Sequence, residues 1–99
     1  MKTEILKTKN RLDVSIEGRL DAVTSPELEE KLMPALDGIK TLVFDLAKLS
    51  VISSAGLRVL LSALKVMDSS GGTLTIKNAS EDVRKVFRLT GFLEILNVQ

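Results

Sequence analysis

Apolar and polar positions alternate, then change period, several times along this chain, and each change marks an element. Leu12, Val14 and Ile16 alternate with Asp13, Ser15 and Glu17, the period-two pattern of a half-exposed strand. With residues 3–8 ahead of it and Lys9-Asn10 between, the pattern predicts an antiparallel pair joined by a tight turn. Gly18-Arg19-Leu20-Asp21-Ala22 leads out of the second strand. A helix then starts at Thr24-Ser25-Pro26-Glu27, with Ser25 as cap, Pro26 at the first helical position and acids in the first turn. Leu28, Leu32, Ala35 and Leu36 form its inward stripe. Pro34 cannot donate to the carbonyl of Glu30, which predicts a kink or split near Met33.

The middle of the chain carries the strongest signals. Thr41–Leu46 is a near-continuous apolar run, the mark of a central strand covered on both faces. A short loop follows, then Ser53-Ser54 and a helix to about Ser69 with apolar residues at Leu57, Leu60, Leu61, Leu64 and Met67. Arg58, Ser62 and Lys65 make only a narrow polar strip on it, so the apolar arc is wider than one sheet requires. Val59 and Val66 therefore meet either a neighbouring helix or a partner. Asp68–Gly72 is a turn, and Thr73–Lys77 alternates as a strand. Ser80 caps a third helix in which Val83, Val86, Phe87 and Leu89 are expected inside and Arg84, Lys85 and Arg88 outside. Gly91 stops it, and Phe92–Val98 is expected as a final strand or packed tail.

The predicted order, β-β-α-β-α-β-α-β, implies an α/β fold in one domain over residues 1–99. Right-handed crossovers give a mixed, mostly parallel sheet with an antiparallel edge strand at the N-terminus and about three to four helices. Strand-end loops carry the sites of such sheets. Asp21 and Ser53-Ser54 should therefore share a rim.

Composition narrows the chemistry. Fourteen basic and thirteen acidic residues leave a net charge of +1, and only three residues are aromatic. Nucleic-acid binding would call for a basic excess, and nothing suggests a membrane surface. With no Cys and no His, disulfides, thiol nucleophiles, zinc sites and the Ser-His-Asp arrangement are excluded. Asp21, Asp45, Ser53 and Ser54 include no base of near-neutral pKa, so an enzyme is not expected. No cofactor or metal is implied. The first residues hold no long apolar run and no window is long enough for a membrane span, so a cytoplasmic location is expected.

One constellation remains. A serine at the mouth of a helix either caps it or can carry a phosphate, because free N–H groups and the helix dipole tolerate negative charge there. Gly56 would leave backbone open for a close approach by a ligand or partner. Asp21 reads either as a turn-forming residue or as the border of the Ser54 surface. Asp45 is expected to bond the loop before Ser53 and hold its shape.

Asp45-Leu46 followed by Ile52-Ser53-Ser54-Ala55-Gly56-Leu57, with Gly18-Arg19-Leu20-Asp21 ahead of a Pro-started helix, resembles the STAS domains, the bacterial anti-sigma factor antagonist family. The resemblance covers about residues 3–97. The family's usual motif is Asp-Ser-Ser(or Thr)-Gly-Leu, with the first serine as phosphoacceptor. On this chain the acceptor falls at Ser54, with Ser53 in the usual Asp position and Ala55 in place of a second hydroxyl; Ser53 is then a competing acceptor. The resemblance implies an interaction switch that, unmodified, would bind an anti-sigma factor with serine-kinase activity and would be released by phosphorylation of Ser54. A monomer is expected, with a partner-binding rim of Asp21, Asp45, Ser53, Gly56, Leu57 and Arg58. An alternative is a STAS module of a sensory or transport-associated assembly whose serine is never modified.

Overall fold

A computed structural model describes residues 1–99. Strand β1 (Lys2–Thr8) pairs antiparallel with β2 (Arg11–Leu20), Thr8 opposite Arg11 across the Lys9-Asn10 turn. Helix α1 (Ser25–Ala35) leads to β3 (Thr41–Asp45), and a short β4 (Leu49–Ile52) precedes α2 (Ser54–Ser70). Strand β5 (Thr73–Lys77), α3 (Glu81–Thr90), a single-turn α4 (Phe92–Ile95) and a two-residue β6 (Asn97–Val98) complete the chain. The sheet runs β1-β2-β3-β5-β6, parallel from β2 onward, with β4 also paired to β2.

The strand β4 was not expected; its residues read as loop. Strand β2 is long enough to hold two partners in one lane. Arg11–Ser15 pair with β3, and Gly18–Leu20 pair with β4. The register slips between Gly18 and Arg19, leaving Ser50 without a ladder partner. Its hydroxyl donates instead to the Gly18 carbonyl at 2.8 Å, and Gly18 meets the distortion with φ +97°, a conformation that favours glycine. The strand therefore continues through Gly18-Arg19-Leu20 rather than ending before them.

The helices cover one face of the sheet. The crossovers from β2 to β3, from β4 to β5 and from β5 to β6 all step in the same direction, and right-handed connections then place α1, α2 and α3 together. Burial follows: Leu12, Val14, Ile16, Leu42, Phe44, Leu74 and Ile76 point into one contiguous core with Leu28, Leu32, Leu60 and Phe87. The opposite face carries Glu4, Asp13, Ser15, Glu17, Asp45, Thr75 and Lys77, all exposed or half-exposed. So β3 is covered on one face only. Its apolar run misled because Val43, on the open face, is shielded by its ladder neighbours Asp13 and Thr75 rather than by a helix. On that face Arg11 hydrogen-bonds both Asp13 oxygens, at 2.9 and 3.0 Å, which holds the Asp13 carboxyl below the usual carboxylate range.

The helices depart from expectation in four places, one of them α4, a helical turn at Phe92–Ile95 where a final strand or packed tail was expected. Helix α1 is unbroken; Pro34 falls in its last turn, where few i→i−4 bonds remain to be lost, and the Leu36 N–H closes the end on Met33 O at 3.2 Å. Thr24, not Ser25, occupies the N-cap position, and the Ser25 hydroxyl is buried without a partner. Leu89 is 75% exposed, because it lies well over 90° round α3 from Val83 and Phe87, which are buried. The wide apolar arc of α2 is explained by a neighbour: α2 lies against α1 as well as against β4 and β5, and Val59 is buried. Ser80 does cap α3, accepting from the Val83 N–H at 3.2 Å, and Gly91 ends it at φ +80°.

Gly72 ties the end of α2 to the start of β3. Its N–H donates to Met67 O at 2.8 Å, and a Cβ built on it would lie 2.7 Å from Lys40 O. That neighbour is backbone and cannot swing aside. Gly72→Ala is expected to cost ~1–3 kcal/mol, the usual range for forced overpacking, read as a lower denaturation midpoint in urea with an unchanged slope.

Candidate functional site

The pairing of β4 with the far half of β2 builds the rim. Leu20 stands opposite Ile52, and the Ser53 N–H donates to Leu20 O at 2.9 Å. The chain thus leaves both strands side by side, at Asp21 and at Ser53. Helices α1 and α2 both begin there, so two helix N-termini open onto one edge of the molecule.

Ser53 is the N-cap residue of α2, extended at φ −103° and ψ 178°, and its carbonyl accepts the Leu57 N–H at 3.0 Å. Its hydroxyl does not cap the helix; Ser53 Oγ is buried and has no hydrogen-bond partner. Ser54 is the first helical residue and is exposed. The N–H groups of Ser54, Ala55 and Gly56 precede the first i→i−4 bond and find no acceptor. Of the two neighbouring hydroxyls, only the one at Ser54 faces solvent, beside three unpaired donors at the positive end of a 17-residue helix.

Asp21 is a turn-former on that rim. Its Oδ1 accepts the N–H groups of Val23 and Thr24, at 3.0 and 3.1 Å, and its carbonyl accepts the Ser25 N–H at 2.8 Å. Thr24 Oγ1 accepts the Asp21 N–H at 2.9 Å and donates to Arg19 O at 2.8 Å. These bonds serve donors at the start of α1, which is why the Ser25 hydroxyl is not needed as a cap. They hold the Asp21 carboxyl below its ordinary range, the Thr24 N–H first among the causes, with Arg19 Nε 3.5 Å away adding to it. The turn lifts Val23 outward until it is 85% exposed. Sequence reasoning missed Val23, although an apolar residue inside a polar turn was the available signal.

Gly56 and Leu57 face inward. A Cβ on Gly56 would lie 2.8 Å from Leu20 Cγ and 2.9 Å from Ile52 Cγ1. The missing side chain serves the seating of α2 on the ends of β2 and β4, not an approach from outside, which corrects the expectation of open backbone. Leu57 is 5% exposed and belongs to the core, so it is not rim surface. Arg58, one turn beyond Ser54, is exposed and has no carboxylate within ion-pair distance.

Asp45 lies away from the rim. Its Oδ1 accepts the Ala47 N–H at 3.1 Å and the Asn78 Nδ2 at 3.2 Å. It thereby holds the turn between β3 and β4 in shape, as expected, and ties it to the end of β5. Its ladder partner on β2 is Ser15, five residues short of Leu20, a separation of roughly 16 Å at the usual strand rise. Asp45 instead borders a shallow groove of about 240 Å³ on the open face, with Lys2, Glu4, Ser15, Glu17 and Lys48.

Comparison with known proteins places this fold in a family. The model of the STAS domain matches residues 2–99. The chain belongs to the STAS domain family. Among its relatives is the anti-sigma-B factor antagonist of Bacillus subtilis, 30% identical over 95 residues, spanning 96% of this chain and 87% of that protein. Among solved structures, an anti-sigma factor antagonist from Mycobacterium paratuberculosis aligns with a TM-score of 0.86 at 25% identity, over 98% of this chain and 83% of that one. The Bacillus cell fate determinant SpoIIAA in its phosphorylated form aligns with a TM-score of 0.78 at 20% identity, over 99% and 91%.

Two substitutions test the rim of this STAS domain. Gly56→Ala should cost ~1–3 kcal/mol in chemical denaturation, since the two nearest atoms a methyl would strike, Leu20 Cγ and Ile52 Cγ1, lie part-way along buried side chains rather than at flexible tips. Asp21→Asn keeps an oxygen acceptor but removes the charge. The folded carboxyl titrates below the unfolded one, so its contribution is complete above the ordinary carboxylate pKa of about 4 and is lost as pH falls through the depressed value. Thermal unfolding should therefore show the variant less stable than wild type near neutrality, with the gap closing in acid.

Proposed function

We propose that this STAS domain is an anti-sigma factor antagonist that binds, unmodified, an anti-sigma factor with serine-kinase activity and is released when that partner phosphorylates Ser54. The observation that carries the reading is the contrast within the serine pair. Ser54 is exposed at the head of α2, while the hydroxyl of Ser53, the competing acceptor, is buried. A kinase needs its acceptor oxygen in reach, and that requirement selects Ser54. The names carried by the relatives support the same partner class.

The chemistry of release follows from charge. A phosphoserine brings about −1.5 to −2 at neutral pH. Inside a docked interface that charge would be desolvated and repelled by any acid opposite it, enough to offset the ~1–3 kcal/mol of a typical regulatory coupling. In the free protein the same group sits beside the unpaired N–H groups of Ser54, Ala55 and Gly56 and the positive helix end, so the fold tolerates it. The rim surface presented to the partner is formed by Ser54, Arg58 and the exposed Val23, with Asp21 shaping the turn that carries Val23. ATP and magnesium belong to the kinase.

A second reading is favoured by the residues flanking the acceptor. Ser53 replaces the usual Asp and Ala55 the usual second hydroxyl, which suits an interaction module whose serine stays unmodified. Incubation with ATP and the cognate anti-sigma kinase, read by intact mass, separates the two. The switch reading expects one added phosphate on wild type and on Ser53→Ala, none on Ser54→Ala, and loss of kinase binding by the modified form. No phosphate on wild type, or an undiminished gain on Ser54→Ala, overturns it.

A further inference from the structure

We infer that Arg58 clamps the phosphate of modified Ser54, so that phosphorylation both adds negative charge to the rim and withdraws a cation from it. This rests on Ser54 as the modified residue and adds how the modified state is held. Ser54 and Arg58 are four residues apart on one helix, which places them on the same face, neighbours one turn apart. Both are exposed. The anion precedes the cation, the orientation favoured at this spacing because each charge also suits the helix dipole.

Arg58 has nothing else to bind. Its own helix offers Ala55 and Ser54 one turn before it and Leu61 and Ser62 one turn after it, none of them acidic. No carboxylate from elsewhere lies within ion-pair distance. The other charges on the rim are already engaged with each other: Arg19 Nε stands 3.5 Å from Asp21 Oδ2, and Asp21 is bound into its turn. The next cation along α2 is Lys65, three turns from Ser54 and beyond a Debye length at physiological salt.

A guanidinium meets phosphate oxygens with two parallel N–H bonds, a geometry that an ammonium lacks. In the unmodified protein Arg58 is free to face an acidic group on the partner. In the modified protein it folds back over the phosphate, and the partner meets an anion where it had met a cation.

The test uses the full chain with phosphoserine installed at position 54 by genetic encoding, so that it does not depend on any kinase. The second ionisation of the phosphate is followed by phosphorus NMR in wild type, Arg58→Gln and Lys65→Gln. A neighbouring cation favours the dianion, so the clamp predicts a second pKa raised by ~0.3 unit or more in Arg58→Gln, and no change in Lys65→Gln. The Arg58→Gln difference should shrink as salt is added. Equal values in wild type and Arg58→Gln overturn the clamp, as does a Lys65→Gln shift of the same size, which would report net charge alone. Failure of a kinase to modify Ser54 would sink the switch reading while leaving this comparison intact.

Discussion

The backbone bond from the Ser53 N–H to Leu20 O is the joint on which the candidate site depends. It is the last rung of the short ladder between β4 and β2, and it brings the exits of two strands that are distant in sequence to the same height. Without β4, the segment between Asp45 and Ser54 would be a loop free to carry the serine anywhere above the sheet. With it, the start of α2 is held at a set distance from the turn at Asp21. Gly56 adds the second constraint, because only a residue without Cβ lets the first turn of α2 settle onto Leu20 and Ile52.

This arrangement separates the functions of two adjacent hydroxyls. Ser53 sits where the chain passes from strand to helix, and its extended backbone turns the side chain into the protein. Ser54, one residue on, has helical backbone and points out. A helix N-terminus is hospitable to an anion because its first amides lack partners. Here those amides remain unpaired because the cap residue does not spend its oxygen on them. Arg58 extends the same electropositive character one turn along the helix, and Asp21, committed to its own turn, does not neutralise it.

The open face of the sheet is a different kind of surface. Helices cover one side only, and the other shows charged and hydroxyl side chains with a shallow groove bordered by Asp45. Asp45 and Ser54 are close in sequence and belong to one motif, yet they stand before and after β4, at its two ends. Asp45 secures the turn that launches β4, and β4 then carries the chain to the rim.

Periodicity and resemblance by themselves determined the order of the longer strands and helices, the sheet direction, the family and the sharing of a rim by Asp21 and the serine pair, because strand alternation, helix stripes and caps are local and repeat over many residues. Packing decided the rest. A four-residue strand such as Leu49–Ile52 is too short to show a period, and it exists only because β2 offers it an unoccupied edge. Gly56 looked like exposed backbone until Leu20 and Ile52 were found against it. The run through Val43 read as a strand covered on both faces when, on the open face, its ladder neighbours do the covering, and Val23 took on meaning only once the Asp21 turn raised it. The choice between Ser53 and Ser54 was likewise tertiary: two identical side chains in succession differ only in where the backbone aims them, and composition carries no record of direction.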